Sequence, residues 1–464
     1  MTHVLTALGN RWDSRVATLL EGSREVTIVR RCADLPDLVA TAAAGLGTVA
    51  LVSSDLRGLD LTVVAQLRSA GVHVVGITPD GDEDSERRLR QLGVGRIVPG
   101  SVELADLEAA LTETAPPVDE ALRTLERDLD LADDLADDLA DDLAGDQRAE
   151  GLPGPTPPAA PPAYLDRGGA QGAGDAVDEV RAEAAEGRVV AIWGPTGAPG
   201  RTTIAVTLAS ELAGLGIPTV LVDADTYGGS VAQALSFLDE APGLTAASRA
   251  ADQGSLDLPT LARLAPVASP GLRVLTGIPK AERWPEIRAA ALERVLTLCR
   301  SLGEVVVVDC GFSLEDDEEL SYDTMAPRRN AATLSTLALA DEVVVVGACD
   351  PVGLQRLVRG LQELGTVPTP RPTVVVNRVR PGAVGANPEQ RVSEALSRFA
   401  GVNEVLFVPD DPSALDTALL QGRALAECAP QSPVRPAVRS LAEKVAGAPA
   451  GSGRRRRRGL RVSR

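Results

Sequence analysis

The stretch VVAIWGPTGAPGRTTIAVTLASELAGLG, Val189 to Gly216, decides how the larger part of this chain folds. It starts as an apolar, β-branched run, turns at Gly197 and Gly200, and continues from Arg201 as an amphipathic helical pattern. Strand, glycine turn and helix in that order are the setting of a phosphate-binding loop, G-x-x-x-x-G-K-[ST]. Two positions depart from the pattern: Pro195 stands at the first glycine and Arg201 at the lysine. Much of phosphate capture is main-chain chemistry and survives such changes. Glycines admit close approach, N–H groups point into the loop, and the helix N-terminus adds partial positive charge. Thr202 stands where a magnesium-binding hydroxyl belongs.

Downstream, PTVLVDAD ends an apolar strand in Asp223 and Asp225, and EVVVVDCG ends another in Asp309. Four valines before an aspartate fit a buried parallel strand that delivers a carboxylate to the sheet's C-terminal edge. DEVVVVGACDP, PTVVVNRV and EVLFVPDDP supply further buried strands. Residues 183–447 therefore read as one α/β domain with a parallel sheet.

Upstream, residues 1–115 alternate β-rich runs (HVLTAL, EVTIVRRC, TVALVSS, VHVVGIT, GRIVPG) with helical ones. Five βα units predict a smaller parallel sheet with helices on both faces. Between the two domains, residues 116–182 form a linker. Its LADDLADDLADDLAGD repeat has period four, so its leucines only spiral slowly round a helix, and its dense like charge opposes compaction. A Pro/Gly-rich hinge follows. Residues 448–464 are an arginine-rich tail predicted to be disordered.

Composition bounds the function. The chain has 464 residues, 44% of them hydrophobic, and a net charge of -19, which does not favour nonspecific nucleic-acid binding. No apolar run long enough for a membrane span and no secretory signal is expected. Five cysteines without CxxC spacing fit a reducing cytosol. Only Lys280 and Lys444 are lysines among the 46 basic residues, so arginine stands almost everywhere that lysine might.

The order of strands and motifs over residues 183–447 resembles the MinD/ParA family of dimeric P-loop ATPases. The resemblance implies ATP as ligand, with Gly197, Ala198, Pro199, Gly200, Arg201, Thr202 and Thr203 around its phosphates. It implies Mg²⁺ held by Thr202, Asp309 and Asp223, with Asp309 as the Walker-B aspartate. Asp225 and Arg201 take catalytic roles, Asp225 positioning water. Asn377 reads adenine, and the segment of Pro409 and Asp410 closes over the base. With the smaller domain, which is similar in order and length to a response-regulator receiver, the whole resembles the CpaE/TadZ branch. That branch positions pilus-assembly or secretion machinery, a related role being septum placement. A homodimer, protein partners of an envelope machine and a cytoplasmic location, extending to the inner face of the membrane, are implied.

Two departures limit these roles. The family's dimer-crossing lysine position holds Thr196, and a threonine cannot deliver a full charge. Losing such a contact costs about 3 kcal/mol, or roughly a hundredfold in rate, so ATP binding with weak or absent hydrolysis is expected. In the smaller domain, Asp55 follows the third strand, but TALGN lacks the acidic pair and RIVPG lacks the lysine of a phosphorylatable receiver; Asp55 reads as a loop or cap residue. An active ParA-type ATPase working on DNA or membrane, and a phosphorylation-switched regulator, are the competing readings. The arginine run from Arg454 to Arg458 leaves anionic lipid, the acidic linker or a protein, and nucleic acid open as partners. Trp193 reads as packing and Cys310 as core. Asp323, Arg328 and Arg329 read as a second mobile switch.

Overall fold

The computed structural model describes residues 1–113, 187–197, 199–237, 243–316 and 326–447. The acidic repeat, the hinge, the arginine tail, Ala198 and Asp323 lie outside them. No helix among the described residues is long and apolar enough to cross a membrane.

In the smaller domain, β1 (Thr2–Ala7), β2 (Val26–Arg31), β3 (Val49–Ser53), β4 (His73–Thr78) and β5 (Arg96–Pro99) form an all-parallel sheet ordered β2-β1-β3-β4-β5. This is the flavodoxin-like order. All five residues of β3 are buried, as expected of a central strand covered on both faces. The helices begin where aspartates can cap them. Asp34, Asp60 and Asp82 each accept a hydrogen bond from the backbone N–H three residues on. Asp55 lies just past β3 and pairs with Arg11 at 3.3 Å. A Cβ on Gly9 would stand 2.6 Å from its carboxylate oxygens. Asp55 is thus held between a guanidinium and a tight glycine turn.

The larger domain has eight strands: β6 (Arg188–Trp193), β7 (Thr219–Ala224), β8 (Val267–Ser269), β9 (Leu272–Leu275), β10 (Val305–Cys310), β11 (Glu342–Ala348), β12 (Thr373–Val379) and β13 (Val405–Pro409). Their order is β13-β12-β11-β6-β10-β7-β9-β8, with only β8 antiparallel. The strand leading into the glycine loop, β6, is therefore interior, between β10 and β11. One face of the sheet packs Trp193, Leu292 and Leu296 into a core. The other packs Ile192, Leu208, Leu212, Val438 and Leu441. The helix that follows the loop, Arg201–Gly214, is buried on nearly every side because the C-terminal helix, Val434–Val445, covers its outer face.

The two sheets' layers meet through apolar and charged contacts: Leu61 packs against the core of the larger sheet, and Gly254 lies close against Leu92. Arg288 donates to Asp60 at 2.9 Å and lies 3.9 Å from Asp252. Thr62 donates to Asp252 at 3.3 Å, and Arg88 to the Gln253 carbonyl at 3.2 Å. Burial pushes the Asp252 carboxyl up to about 6, against the opposing pull of Arg288, with Asp60 adding to the rise. A carboxyl with a raised folded-state value binds more protons folded than unfolded, so its contribution to stability grows as pH falls from 6 toward 4. Asp252→Asn is expected to stabilise the protein by about 1–2 kcal/mol at pH 8, after allowance for partial exposure, to keep roughly half of that advantage at pH 5 and to lose it as pH falls to 4 and below. Denaturant melts of both proteins across this range check it; parallel pH profiles would refute it.

Candidate nucleotide site

The site is assembled at the C-terminal edge of the larger sheet. β6 ends at Trp193, a fully buried core side chain, and the chain turns through Gly194 to Gly200. A Cβ on Gly194 would come within 2.3 Å of the Val346 carbonyl, so the loop begins pressed against β11. Gly200, at φ 94°, caps the helix that starts at Arg201. That left-handed geometry lets the first-turn N–H groups of residues 201–203 face the loop with no helical acceptor of their own. Gly197, and Pro199 through Thr203, thus lie in a strand–turn–helix setting.

Asp309, from β10, is fully buried and accepts a hydrogen bond from Thr202 Oγ1 at 2.6 Å. Its other oxygen, Oδ1, has no partner among the described residues. Burial, then the nearby Asp223 carboxylate, drives its carboxyl well above the ordinary range. Asp223 sits directly across the strand pair from Asp309. Burial raises it to about 7, although the amides of Val231 and Asp225 hold its charged form. Those amides use both Asp223 oxygens, at 3.0 and 3.2 Å, so its carboxylate organises the turn after β7. Among the described residues no three His, Cys, Asp or Glu side chains form a complete cation site. Magnesium commonly takes only one or two carboxylates and fills its shell with phosphate oxygens and water. The unpartnered Oδ1 of Asp309 and the hydroxyl of Thr202 fit that pattern.

Arg201 lies differently from the sequence expectation. Its Nη1 donates to the carbonyls of Gly194 (2.9 Å) and Pro195 (3.3 Å), and its Nη2 lies 3.4 Å from Asp225. The guanidinium is folded back to brace the loop from within. Asp225 in turn accepts from the N–H groups of Tyr227 and Gly228. Asn377, on β12, also serves the loop. Its Nδ2 donates to the Pro199 carbonyl at 2.9 Å while its Oδ1 accepts from Arg378 N at 2.9 Å. Pro409 ends β13 beside Val379, and Asp410 pairs with Arg380 at 3.2 Å, so this segment is joined to β12. Thr203 is half-buried in the first helical turn.

Two groups of residues were not singled out from the sequence. Tyr227 and Asn330 are joined by a 2.7 Å hydrogen bond. Arg329 lies over the Tyr227 ring at 4.2 Å and donates to the Thr226 carbonyl at 3.1 Å. The segment around Arg329, expected to act as a second switch, is thus tied to the turn that carries Asp225, while Arg328 pairs with Asp316 at 3.1 Å. Arg356 and Arg378 line a notch beside Thr196 and Gly197. Their only sequence signal is arginine in QRLVRG and in VNRV.

An interior parallel strand feeding a glycine loop and a helix, beside strands that end in buried aspartates, defines an α/β domain of the P-loop class. No protein-family model matches the chain, and no curated protein does. Solved structures are similar to it. The ParA family ATPase from Chlorobium tepidum is 20% identical, over 55% of this chain and 98% of its own, with a TM-score of 0.47. The cell division ATPase MinD from Pyrococcus furiosus is 19% identical, over 56% and 99%, with a TM-score of 0.45. The septum site-determining protein MinD from Pyrococcus horikoshii, complexed with Mg-ADP, is 18% identical, over 56% and 95%, with a TM-score of 0.44.

Proposed function

We propose that this chain is an ATP-binding switch or scaffold of the MinD/ParA kind that localises a cell-envelope machine, such as pilus assembly, secretion or septum placement, with weak or absent hydrolysis. The observation that carries the reading is the pairing of a Gly200-capped helix N-terminus with the Thr202–Asp309 hydrogen bond, 2.6 Å long, at one sheet edge. The loop amides bind the phosphates, because N–H groups of a helix's first turn have no other acceptor. Thr202 and Asp309 hold Mg²⁺, which neutralises phosphate charge when bound. Asp223 and Asn377 keep the turns on either side in shape. Asp225, gripped by two backbone N–H groups and by Arg201, takes the role of orienting a water in this reading, and its engagement with Arg201 supports slow turnover over fast. A nucleotide-dependent homodimer, with the smaller domain recruiting partners, completes the proposal.

Calorimetry with ATP and Mg²⁺ tests it. Thr202→Val is expected to weaken Mg-ATP binding at least about tenfold, the loss of one hydroxyl ligand and of the Asp309 hydrogen bond. Absence of any heat with wild-type protein would refute the nucleotide reading. Turnover stimulated by DNA or anionic vesicles and abolished in Asp225→Ala would favour the active partitioning ATPase instead.

A further inference from the structure

The loop's own cation is occupied. Arg201 spends both terminal nitrogens on the Gly194 and Pro195 carbonyls and on Asp225. On the flank of the same loop lies a notch of about 60 Å³, lined by Thr196, Gly197, Asp350, Gly353, Arg356 and Arg378. Arg356 comes from the helix Pro351–Leu364, which follows β11. Its guanidinium rests on Gly197: at φ 108° that glycine has no side chain, and a Cβ there would stand 2.1 Å from Arg356 Nη1. No hydrogen bond or ion pair holds the guanidinium of Arg356 or of Arg378 among the described residues. The one acid in the notch, Asp350, turns its Oδ1 to the N–H groups of Val352 and Gly353 at 3.1 and 2.9 Å.

Arg378 reaches the notch by an unfavourable route. Its φ is 59°, left-handed for a residue with a Cβ, where β12 slips register against β13 between Val376 and Val379. Asn377 fixes this kink by accepting from the Arg378 N–H while donating to Pro199 of the loop. Strained backbone of this kind persists where the surroundings enforce it, and it concentrates at ligand sites. Here the residue at the kink is a second arginine lining the same notch. Both arginines line this one small opening, and among the described residues no acid pairs with either, so the notch offers charge-assisted donors to an anion.

We propose that Arg356 and Arg378 form the clamp for the terminal phosphate of a nucleoside triphosphate whose inner phosphates lie on the loop amides. They supply from the neighbouring helix and strand the positive charge that Thr196 lacks and Arg201 withholds. The inference rests on the nucleotide reading above and adds to it a preference for triphosphate over diphosphate.

Titration of ATP and ADP, with Mg²⁺, into the full chain and into Arg356→Ala, Arg378→Ala and Arg356→Lys tests the clamp. Both alanine variants are expected to lose at least about tenfold in ATP affinity while ADP affinity changes less than about threefold. Arg356→Lys is expected to recover part of the loss, because it keeps the charge without the fork. Arg356 is exposed, so its variants are expected to melt with the wild type; Arg356→Ala alone decides the matter if Arg378→Ala unfolds. Equal ATP affinity in wild type and Arg356→Ala, or equal losses for ATP and ADP, overturns the clamp and leaves the nucleotide reading intact. No binding of either nucleotide by wild type overturns both.

Discussion

Gly200→Val is expected to abolish nucleotide binding, lowering ATP affinity by at least about a hundredfold, while the domain stays folded. Two independent effects act at this residue. Gly200 sits at φ 94°, where a β-branched side chain costs about 1–2 kcal/mol in backbone strain alone. A Cβ would also fall 2.3 Å from Asn377 Nδ2. Asn377 cannot give way cheaply, since it is 5% exposed and both ends of its amide are hydrogen-bonded to backbone. The loop must therefore move, and with it the amides of the first helical turn. Gly214→Ala, at the far end of the same helix, is the control. Nothing lies within 4 Å of its missing Cβ, so alanine there is expected to raise helix stability slightly and leave affinity unchanged. Calorimetry on both variants checks the pair. Undiminished ATP binding by Gly200→Val would mean that the loop amides do not hold the ligand.

How far the sequence reached is clearest at β10 and β12. The four valines before Asp309 announce a strand buried on both faces, because only a covered parallel strand sustains such a run. The glycine turn between β6 and its helix was legible for the same local reason, as were the five βα units of the smaller domain. Asn377 was legible only through the family resemblance, as the residue that reads adenine, and its service to Pro199 was not legible. That bond joins residues 178 apart and depends on where β12 lies in the sheet, which no local pattern encodes. The inward turn of Arg201 is a side-chain choice made by two carbonyls and Asp225, so the sequence supplied the charge and not its direction. The arginine notch depends on a helix after β11 and a kink in β12 meeting at Gly197, a convergence set by tertiary structure alone.

Arg435→Met is expected to destabilise the larger domain by about 3 kcal/mol, more than removal of the acid it pairs with. Glu211 lies on the loop-bearing helix with a side chain only 1% exposed, and it receives Arg435 at 2.6 Å and Arg439 at 3.3 Å from the C-terminal helix. Its charge is tolerable only because both guanidinium groups compensate for lost hydration. Removing Arg435 leaves a buried carboxylate with the more distant partner, and breaking a buried pair from one side is the costly case. Removing the acid is different. The Arg435 and Arg439 side chains are 22% and 42% exposed, so their charges remain reachable by water. Glu211→Leu, which also adds apolar surface between two helices, is expected to lie within about 1 kcal/mol of wild type, and the double variant Glu211→Leu/Arg435→Met close to Glu211→Leu. Counting ion pairs predicts the opposite order, because Glu211 takes part in two and Arg435 in one. Denaturant unfolding of the three variants separates the two accounts. A Glu211→Leu loss larger than that of Arg435→Met would show that the attraction itself, and not the isolation of a buried anion, ties the C-terminal helix to the helix that presents the loop.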